Sequence, residues 1–190
     1  MTSTSILLPT ATQMLAALSA WLGKAAAHEA ERGRSADQLL ALRLAPDMYP
    51  LASQVRFAAF QAMEPVYRLR GEALPETMEN LRREGWSGGE RPGTLADAQA
   101  CIEAALAFLR GVDPETLEAA ADRPLALELP NGIVFDMTGA TYVRDWALPQ
   151  LYFHLVTAYA ILRNHGVPLG KADYAAHMLA HLRPGTLPTG

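Results

Sequence analysis

The chain lacks the features that mark several large classes of protein. It has one cysteine, Cys101, among 190 residues, which excludes an internal disulfide. Its 16 Lys and Arg are outnumbered by 20 Asp and Glu and form no basic run, which argues against a nucleic-acid partner. The cleanest apolar stretch, residues 14–23, is shorter than the roughly 20 residues of a membrane span and has no preceding Lys or Arg, unlike a secretory signal. These absences predict a cytoplasmic protein that binds neither nucleic acid nor a membrane.

β-Branched residues are also scarce, and their scarcity predicts a mostly helical fold. The chain has 7 Val and 4 Ile against 34 Ala and 28 Leu. Ala and Leu favour helices, whereas Val and Ile favour strands. A chain of 190 residues suits one domain, 1–190, because it can bury a core without a disulfide or a structural metal.

Local start and stop signals predict where the helices lie. Capping signatures at Thr10–Gln13, Ser35–Gln38 and Thr94–Asp97 each open a helix. Between residues 72 and 93, prolines and glycines predict a surface loop with at most one helical turn, near 79–83. The first helix should end near Gly33, and a long helix should run from about Leu51 to Gly71. A short helix should follow Asp113, and a terminal helix should cover about 171–182. The last long helix should run from Tyr142 or Leu148 to Asn164, with Gly166 as its cap.

The apolar period changes to two between Leu125 and Met137, where two alternating runs flank Pro130-Asn131-Gly132. This pattern predicts a small β-hairpin. Each long amphipathic helix has one apolar stripe to bury, and a bundle buries four such stripes most economically. The sequence therefore predicts an all-α four-helix bundle with a small β-hairpin inserted before the last long helix.

Polar residues on the apolar stripes are the candidates for a functional site. His28 continues the inward face of the first helix, and His154 lies on the inward face of the last long helix. Asp47 and Gln54 are seven residues apart and flank the inward line of the second long helix. We expect packing of the bundle to bring these four side chains into one interior pocket for a small molecule, with Tyr159 as a fifth pocket residue.

Two other interpretations of these residues stay open. A histidine on an apolar face often bonds a neighbouring carbonyl or carboxylate, and it would then only fix how the helices pack. Alternatively, His154 and Asp47 would supply an imidazole and a carboxylate to Zn, Ni or Fe. The positions one turn from His154 are Gln150 and Ala158, so no second imidazole stacks on it.

The remaining histidines and the cysteine have structural interpretations. His177 and His181 have the i, i+4 spacing of helical metal ligands but lack the Glu of a zinc-protease helix, and we expect an exposed pair near the C-terminus. His165 suits the last turn of a helix, where the helix dipole favours a cation. Cys101 lies on an inward face and is expected to be an inert thiol.

Two parts of the chain carry a family resemblance. Residues 43–55 read RLAPDMYPLASQV, and residues 153–154 and 158–171 read FH and AYAILRNHGVPLGK. These segments resemble a bacterial family of domains of unknown function that belongs with the DinB/YfiT-like metalloenzymes. The resemblance extends from the first helix to Asp173, so that residues 175–190 form a C-terminal extension.

The resemblance implies a DinB-like four-helix bundle, often a homodimer. Its better-known relatives hold a divalent metal with three histidines and include thiol-dependent transferases and isomerases. They place two histidines one turn apart on the last long helix, whereas this chain has only His154 there and no histidine within 47–54. Three functions stay open. The protein is a bundle whose pocket binds a small molecule or a weakly held divalent metal, a thiol- or metal-dependent transferase, or a non-enzymatic dimeric stress or interaction protein. Whether it is an enzyme is therefore open as well.

Overall fold

A computed structural model describes residues 4–186. Residues 1–3 and 187–190, which the expected domain 1–190 and its C-terminal extension include, lie outside the described residues. The secondary-structure elements are α1 (Leu7–Glu31), α2 (Leu51–Arg70), α3 (Glu76–Trp86), α4 (Leu95–Arg110), α5 (Pro114–Glu118), β1 (Pro124–Glu128), β2 (Val134–Thr138), α6 (Gly139–Tyr142), α7 (Leu148–Asn164) and α8 (Lys171–Tyr174).

The four long helices α1, α2, α4 and α7 form a bundle around one apolar core. Helix α2 is central, since it packs against α7, α3 and α4, while α1 packs against α4 and α7. Leu18, Val55, Ile102 and Leu155, one from each long helix, are fully buried. The expected four-helix bundle with a small hairpin before the last long helix is confirmed.

Helix ends that depend on local chemistry match the sequence well. The Thr94–Asp97 capping box is present, with the side chain of each residue accepting a hydrogen bond from the backbone N–H of the other. Gly71 ends α2 with a φ of 71°, a left-handed conformation that glycine adopts without strain. Asp113 caps α5, as expected.

One of the two expected helix starts before α2 is wrong. Helix α1 begins at Leu7 rather than after Thr10, because Leu7 is fully buried and the helix must extend to bury it. The start at Ser35 is confirmed, because Ser35 caps a helical segment, the short 3-10 helix Ala36–Ala41. The prolines that follow, Pro46 and Pro50, prevent it from continuing into α2.

The surface loop expected between residues 72 and 93 contains a longer helix than the one turn expected near 79–83. Residues Glu76–Trp86 form helix α3, whose Met78 is 3% exposed. Gly85, which suggested a loop, is buried inside this helix, where a Cβ atom would overlap the ring of Phe57. Here the glycine allows close packing of α3 on α2 and does not break the chain.

The hairpin is confirmed and leads directly into the last long helix. Strands β1 and β2 pair antiparallel with Ala126 opposite Asp136, and Gly132 makes the turn with a φ of 84°. Thr138 caps α6, and a π-helical turn, Val143–Ala147, continues α6 into α7. The hairpin is thereby held beside the N-terminal half of α7.

The C-terminal part of the described chain lies against α1. The single terminal helix expected over 171–182 is instead α8 followed by a separate 3-10 helix, Ala176–His181. Both contact α1. The segment therefore closes one end of the bundle.

One helical stretch among residues 4–186, Thr4–Glu31, has the length and mean hydropathy, 1.3, of a helix able to cross a membrane. This stretch contains α1, and its Leu15, Leu18 and Leu22 are fully buried in the bundle. The core helix of a bundle passes the same test of length and composition.

Candidate functional site

A hydrogen bond between α2 and α7 lies at the centre of the candidate site. His154 Nδ1 is 2.9 Å from Gln54 Oε1. Gln54 lies in the first turn of α2 and is 2% exposed, and His154 lies in the second turn of α7 and is half-buried. Both residues follow the apolar stripes of their helices, and the close packing of α2 on α7 brings them together.

A second hydrogen bond decides how the two side chains are oriented. Gln54 Nε2 donates to the carbonyl oxygen of Tyr49 at 3.2 Å. A carbonyl can only accept, so the amide nitrogen must face Tyr49 and the amide oxygen must face His154. The imidazole proton is then on Nδ1, and Nε2 carries a lone pair.

Burial keeps this imidazole uncharged. Desolvation lowers the pKa of His154 from 6.5 to about 4. The ring is further packed against aromatic side chains, with centroid distances of 5.0 Å to Phe57 and 5.3 Å to Phe153. Near neutral pH, His154 therefore presents a fixed hydrogen-bond acceptor.

Beside His154 is an open cavity of about 290 Å3. The hairpin closes one side of it with residues 127–130. Aromatic side chains from the loop before α2, from α2, α3 and the π-helical turn form much of the remaining wall: Tyr49, Phe57, Phe60, Trp86 and Trp146. Predominantly aromatic walls with a few polar groups are typical of pockets for small molecules.

Three of the four charged side chains in the cavity wall are paired, and the fourth, Glu128, is exposed on the hairpin. Arg68 binds Glu64 with Nη2 2.7 Å from Oε1, and Glu64 is 4% exposed. Arg82 pairs with Glu79 and lies over two rings, 5.2 Å from the centroid of Trp86 and 6.0 Å from that of Phe60. Each pair is neutral as a whole.

Two buried polar atoms in the cavity-lining residues have no hydrogen-bond partner within residues 4–186. They are Gln61 Oε1, an acceptor, and Arg82 Nε, a donor. A buried polar atom without a partner costs about 1–3 kcal/mol, so such atoms mark places where water or a ligand completes the structure.

The structure brings Gln54 and His154 together but places the other expected pocket residues elsewhere. Asp47 is exposed in the turn before α2, which begins at Leu51, so Asp47 and Gln54 do not share a helix. His28 lies near the C-terminal end of α1, where it contacts Arg32. Neither lines the cavity.

Tyr159 is likewise outside the cavity, although it is on the same helix as His154. Its ring lies 5.4 Å from that of Trp21 and 6.0 Å from that of Tyr174. Tyr159 comes five residues after His154, and five residues make about 1.4 turns of an α-helix. The two side chains therefore point to different sides of α7.

The residues around His154 do not fit a divalent metal. The part of the chain that the structure describes contains no group of three or more His, Cys, Asp or Glu able to hold one. Gln54 Oε1 is occupied by the imidazole Nδ1, and Glu64 is held by Arg68. A transition metal requires three or four N, O or S ligands in one place, and the described residues around His154 do not bring three His, Cys, Asp or Glu side chains together.

The other histidines and Cys101 have separate environments. His177 and His181 lie in a 3-10 helix, in which residues three apart share a face, so an i, i+4 pair is not aligned. His165 Nε2 lies 3.2 Å from the carbonyl oxygen of Arg43. Cys101 is partly buried on α4, and desolvation raises the pKa of its thiol to about 11, which makes it a poor nucleophile.

Sequence reasoning missed the contribution of α3 to the cavity. Arg82 and Trp86 lie on this helix, in the region expected to be a loop. Met78 and Leu81, three residues apart and both packed on the core, were the signal that could have identified the helix.

Comparisons with known proteins agree with this fold. A family model described as "Domain of unknown function (DUF1993)" matches residues 4–175. Among solved structures, the chain is similar to a DinB family member protein from Shewanella denitrificans, with 30% sequence identity and a TM-score of 0.73 over 95% of this chain and 93% of that chain. None of the curated proteins matches. The chain therefore belongs to the DUF1993 family of domains of unknown function and has a DinB-like fold.

Proposed function

We propose that the protein binds a small organic molecule in the cavity beside His154. The observation that carries the proposal is the uncharged imidazole, which Gln54 orients so that Nε2 has a free lone pair. An imidazole that served only to join α2 to α7 would not need an open aromatic cavity beside it. Gln61 Oε1 and Arg82 Nε, which have no partner among the described residues, support the same conclusion, since water or a ligand in the cavity would complete them.

The cavity favours this function over metal-dependent transfer. Glu64 is held by Arg68, and the imidazole of His154 and the exposed carboxylate of Glu128 are too few ligands for a divalent cation. The cavity residues instead supply apolar surface together with a few polar atoms, the combination that binds and orients an organic molecule.

The three tryptophans allow a direct test. Trp86 and Trp146 line the cavity, whereas Trp21 is 1% exposed and donates its indole N–H to the carbonyl oxygen of Asp173. We would record two-dimensional 1H–15N NMR spectra of the protein with a library of one- and two-ring molecules. A ligand in the cavity should shift the indole signals of Trp86 and Trp146 and leave that of Trp21 in place.

His154→Ala and His165→Ala form a matched pair for this test. Both histidines are half-buried, lie at the two ends of α7 and make one hydrogen bond each, but His165 is outside the cavity. Binding should weaken about tenfold or more in His154→Ala and persist in His165→Ala. If no molecule shifts Trp86 or Trp146, or if both variants bind as the wild type does, the proposal is wrong.

A further inference from the structure

We propose that the cavity selects an uncharged phenol, whose hydroxyl donates a hydrogen bond to His154 Nε2. This inference rests on the proposed function, because it specifies the chemical class of the molecule held in the same cavity. It is carried by three features of the wall: the polarity of its unsatisfied atoms, the balance of its charges and the shape of its apolar surface.

The unsatisfied atoms require a ligand group that both donates and accepts. His154 Nε2 can only accept, because the hydrogen bonds of Gln54 keep the ring proton on Nδ1. Gln61 Oε1 is a second acceptor, and Arg82 Nε is a donor. Both atoms are buried and have no hydrogen-bond partner among the described residues. A hydroxyl donates its one hydrogen bond to His154 Nε2 and can accept one from a donor such as Arg82 Nε, which leaves Gln61 Oε1 to water, whereas an ether only accepts and an indole N–H only donates.

The charges of the wall disfavour an ion of either sign. An anion would find Arg68 and Arg82 already neutralised by Glu64 and Glu79. A cation would compete with Arg82, whose guanidinium already lies over the rings of Phe60 and Trp86. The remaining charged residue of the wall, Glu128, is exposed on the hairpin. An uncharged molecule needs neither a free arginine nor the ring faces that Arg82 already covers.

The apolar surface suits one aromatic ring or a small pair. The five aromatic side chains of the wall provide faces and edges for stacked or edge-to-face contacts. A volume of about 290 Å3 is at the lower end of the range for ligand pockets, roughly 300–1,000 Å3. A substituted phenol combines this size and shape with the hydroxyl that the unsatisfied atoms require.

Four probes of matched shape test the class: 4-methylphenol, 4-methylanisole, 4-methylbenzoate and 4-methylbenzylammonium. Each would be titrated into the wild-type protein while the indole signals of Trp86, Trp146 and Trp21 are followed. We expect 4-methylphenol to bind at least about tenfold more tightly than 4-methylanisole, which is the effect of one hydrogen bond. The two ions should bind more weakly than the phenol.

The hydrogen bond itself has its own readout in the unmodified protein. The 15N signal of an unprotonated imidazole nitrogen moves upfield when the nitrogen accepts a hydrogen bond, so 4-methylphenol should move that of His154 Nε2 and 4-methylanisole should not. The His154→Phe variant should bind 4-methylphenol and 4-methylanisole with about equal affinity, whereas His165→Ala should retain the preference for the phenol. The wild-type measurement decides the matter even if the His154 variant does not fold.

Failure of this inference differs from failure of the proposed function. If the ether, the carboxylate or the ammonium shifts Trp86 and Trp146 as strongly as the phenol, the cavity binds small molecules but the phenol class is wrong. The class is also wrong if library molecules bind there and none of the four probes does. If no molecule of any class shifts these two signals, the proposed function fails as well.

Discussion

The two ends of α7 carry similar side chains but differ in how completely they are satisfied. At one end is the Trp21 cluster, formed by Trp21, Tyr159 and Tyr174. At the other end is the cavity beside His154. Both combine aromatic rings with polar atoms, yet only the cavity retains buried polar atoms without partners among the described residues.

The Trp21 cluster is closed because the C-terminal segment completes its hydrogen bonds. Trp21 Nε1 donates to the carbonyl oxygen of Asp173 at 3.1 Å. Lys24 Nζ lies 2.7 Å from Asp173 Oδ1, and the other carboxylate oxygen accepts from the backbone N–H of Gly170 at 2.7 Å. Within residues 4–186 no element closes the cavity in this way, since the hairpin covers one side only. The polar atoms beside the rings of the Trp21 cluster are paired within the chain, whereas the cavity wall keeps two polar atoms without partners among the described residues, Gln61 Oε1 and Arg82 Nε.

Removing the central ring of the closed end should have the largest effect on stability. Trp21→Ala deletes a side chain that is 1% exposed, and we expect a loss of about 3–5 kcal/mol in the free energy of unfolding. The matched change at the open end, Trp86→Ala, removes a ring that is 48% exposed and should cost about 1 kcal/mol or less. Urea denaturation of both variants measures the difference, and equal losses would contradict the comparison.

Lowering the pH should reduce the stability of the protein through protonation of His154, which lies beside the cavity. Because the folded-state pKa is about 4 and the ordinary value is 6.5, the unfolded chain binds a proton between these values that the folded protein does not. Stability should therefore fall as the pH is lowered from 6.5 to about 4, by up to about 3 kcal/mol from this residue.

The measurement is the free energy of unfolding against pH for wild type, His154→Gln and His165→Ala. His154→Gln should flatten the curve in this pH range, because its amide does not titrate there. His165→Ala should retain the wild-type slope. A slope that is unchanged in His154→Gln would show that other groups cause the acid sensitivity.

Loss of the carboxylate that closes the Trp21 cluster should have a smaller effect. Asp173→Ala removes the cap on Gly170 and a largely exposed ion pair with Lys24, and we expect about 1 kcal/mol of destabilisation. Lys24→Ala, which removes the ion pair but keeps the cap, should cost less. Thermal melts of the two variants separate these contributions, and a larger loss in Lys24→Ala would contradict the assignment.

The smallest effect is expected from a buried hydroxyl near the open end. Tyr142 is fully buried on α6, close enough to Glu64 and Arg68 to feel their charges, and its hydroxyl has no hydrogen-bond partner within residues 4–186. Tyr142→Phe should leave stability unchanged or raise it by up to about 1 kcal/mol, since an unsatisfied group is removed. A loss above about 1 kcal/mol in chemical denaturation would mean that water or another group bonds this hydroxyl.

How much could be predicted from the sequence depended on how local each feature is. The capping box at Thr94 and the end of α2 at Gly71 were predictable, because neighbouring residues decide them. Helix α3 was missed, because Gly85 favours a loop when only its neighbours in sequence are considered, whereas in the structure it allows close packing on Phe57 of α2. The inward positions of Gln54 and His154 followed from helical periodicity. Asp47 was expected to lie near them, but it precedes Leu51, where α2 begins, and is exposed.

The helical composition, the hairpin and the bundle class follow from the amino-acid sequence, because propensity, capping and periodicity act over a few residues. The same periodicity puts His154 and Gln54 on buried stripes. The hydrogen bond between these two residues, the contact of Tyr159 with Trp21, and the positions of Arg82 and Trp86 in the cavity wall are visible in the folded protein alone. Those outcomes depend on the relative rotation and position of packed helices, which is a property of the whole core and of no single segment.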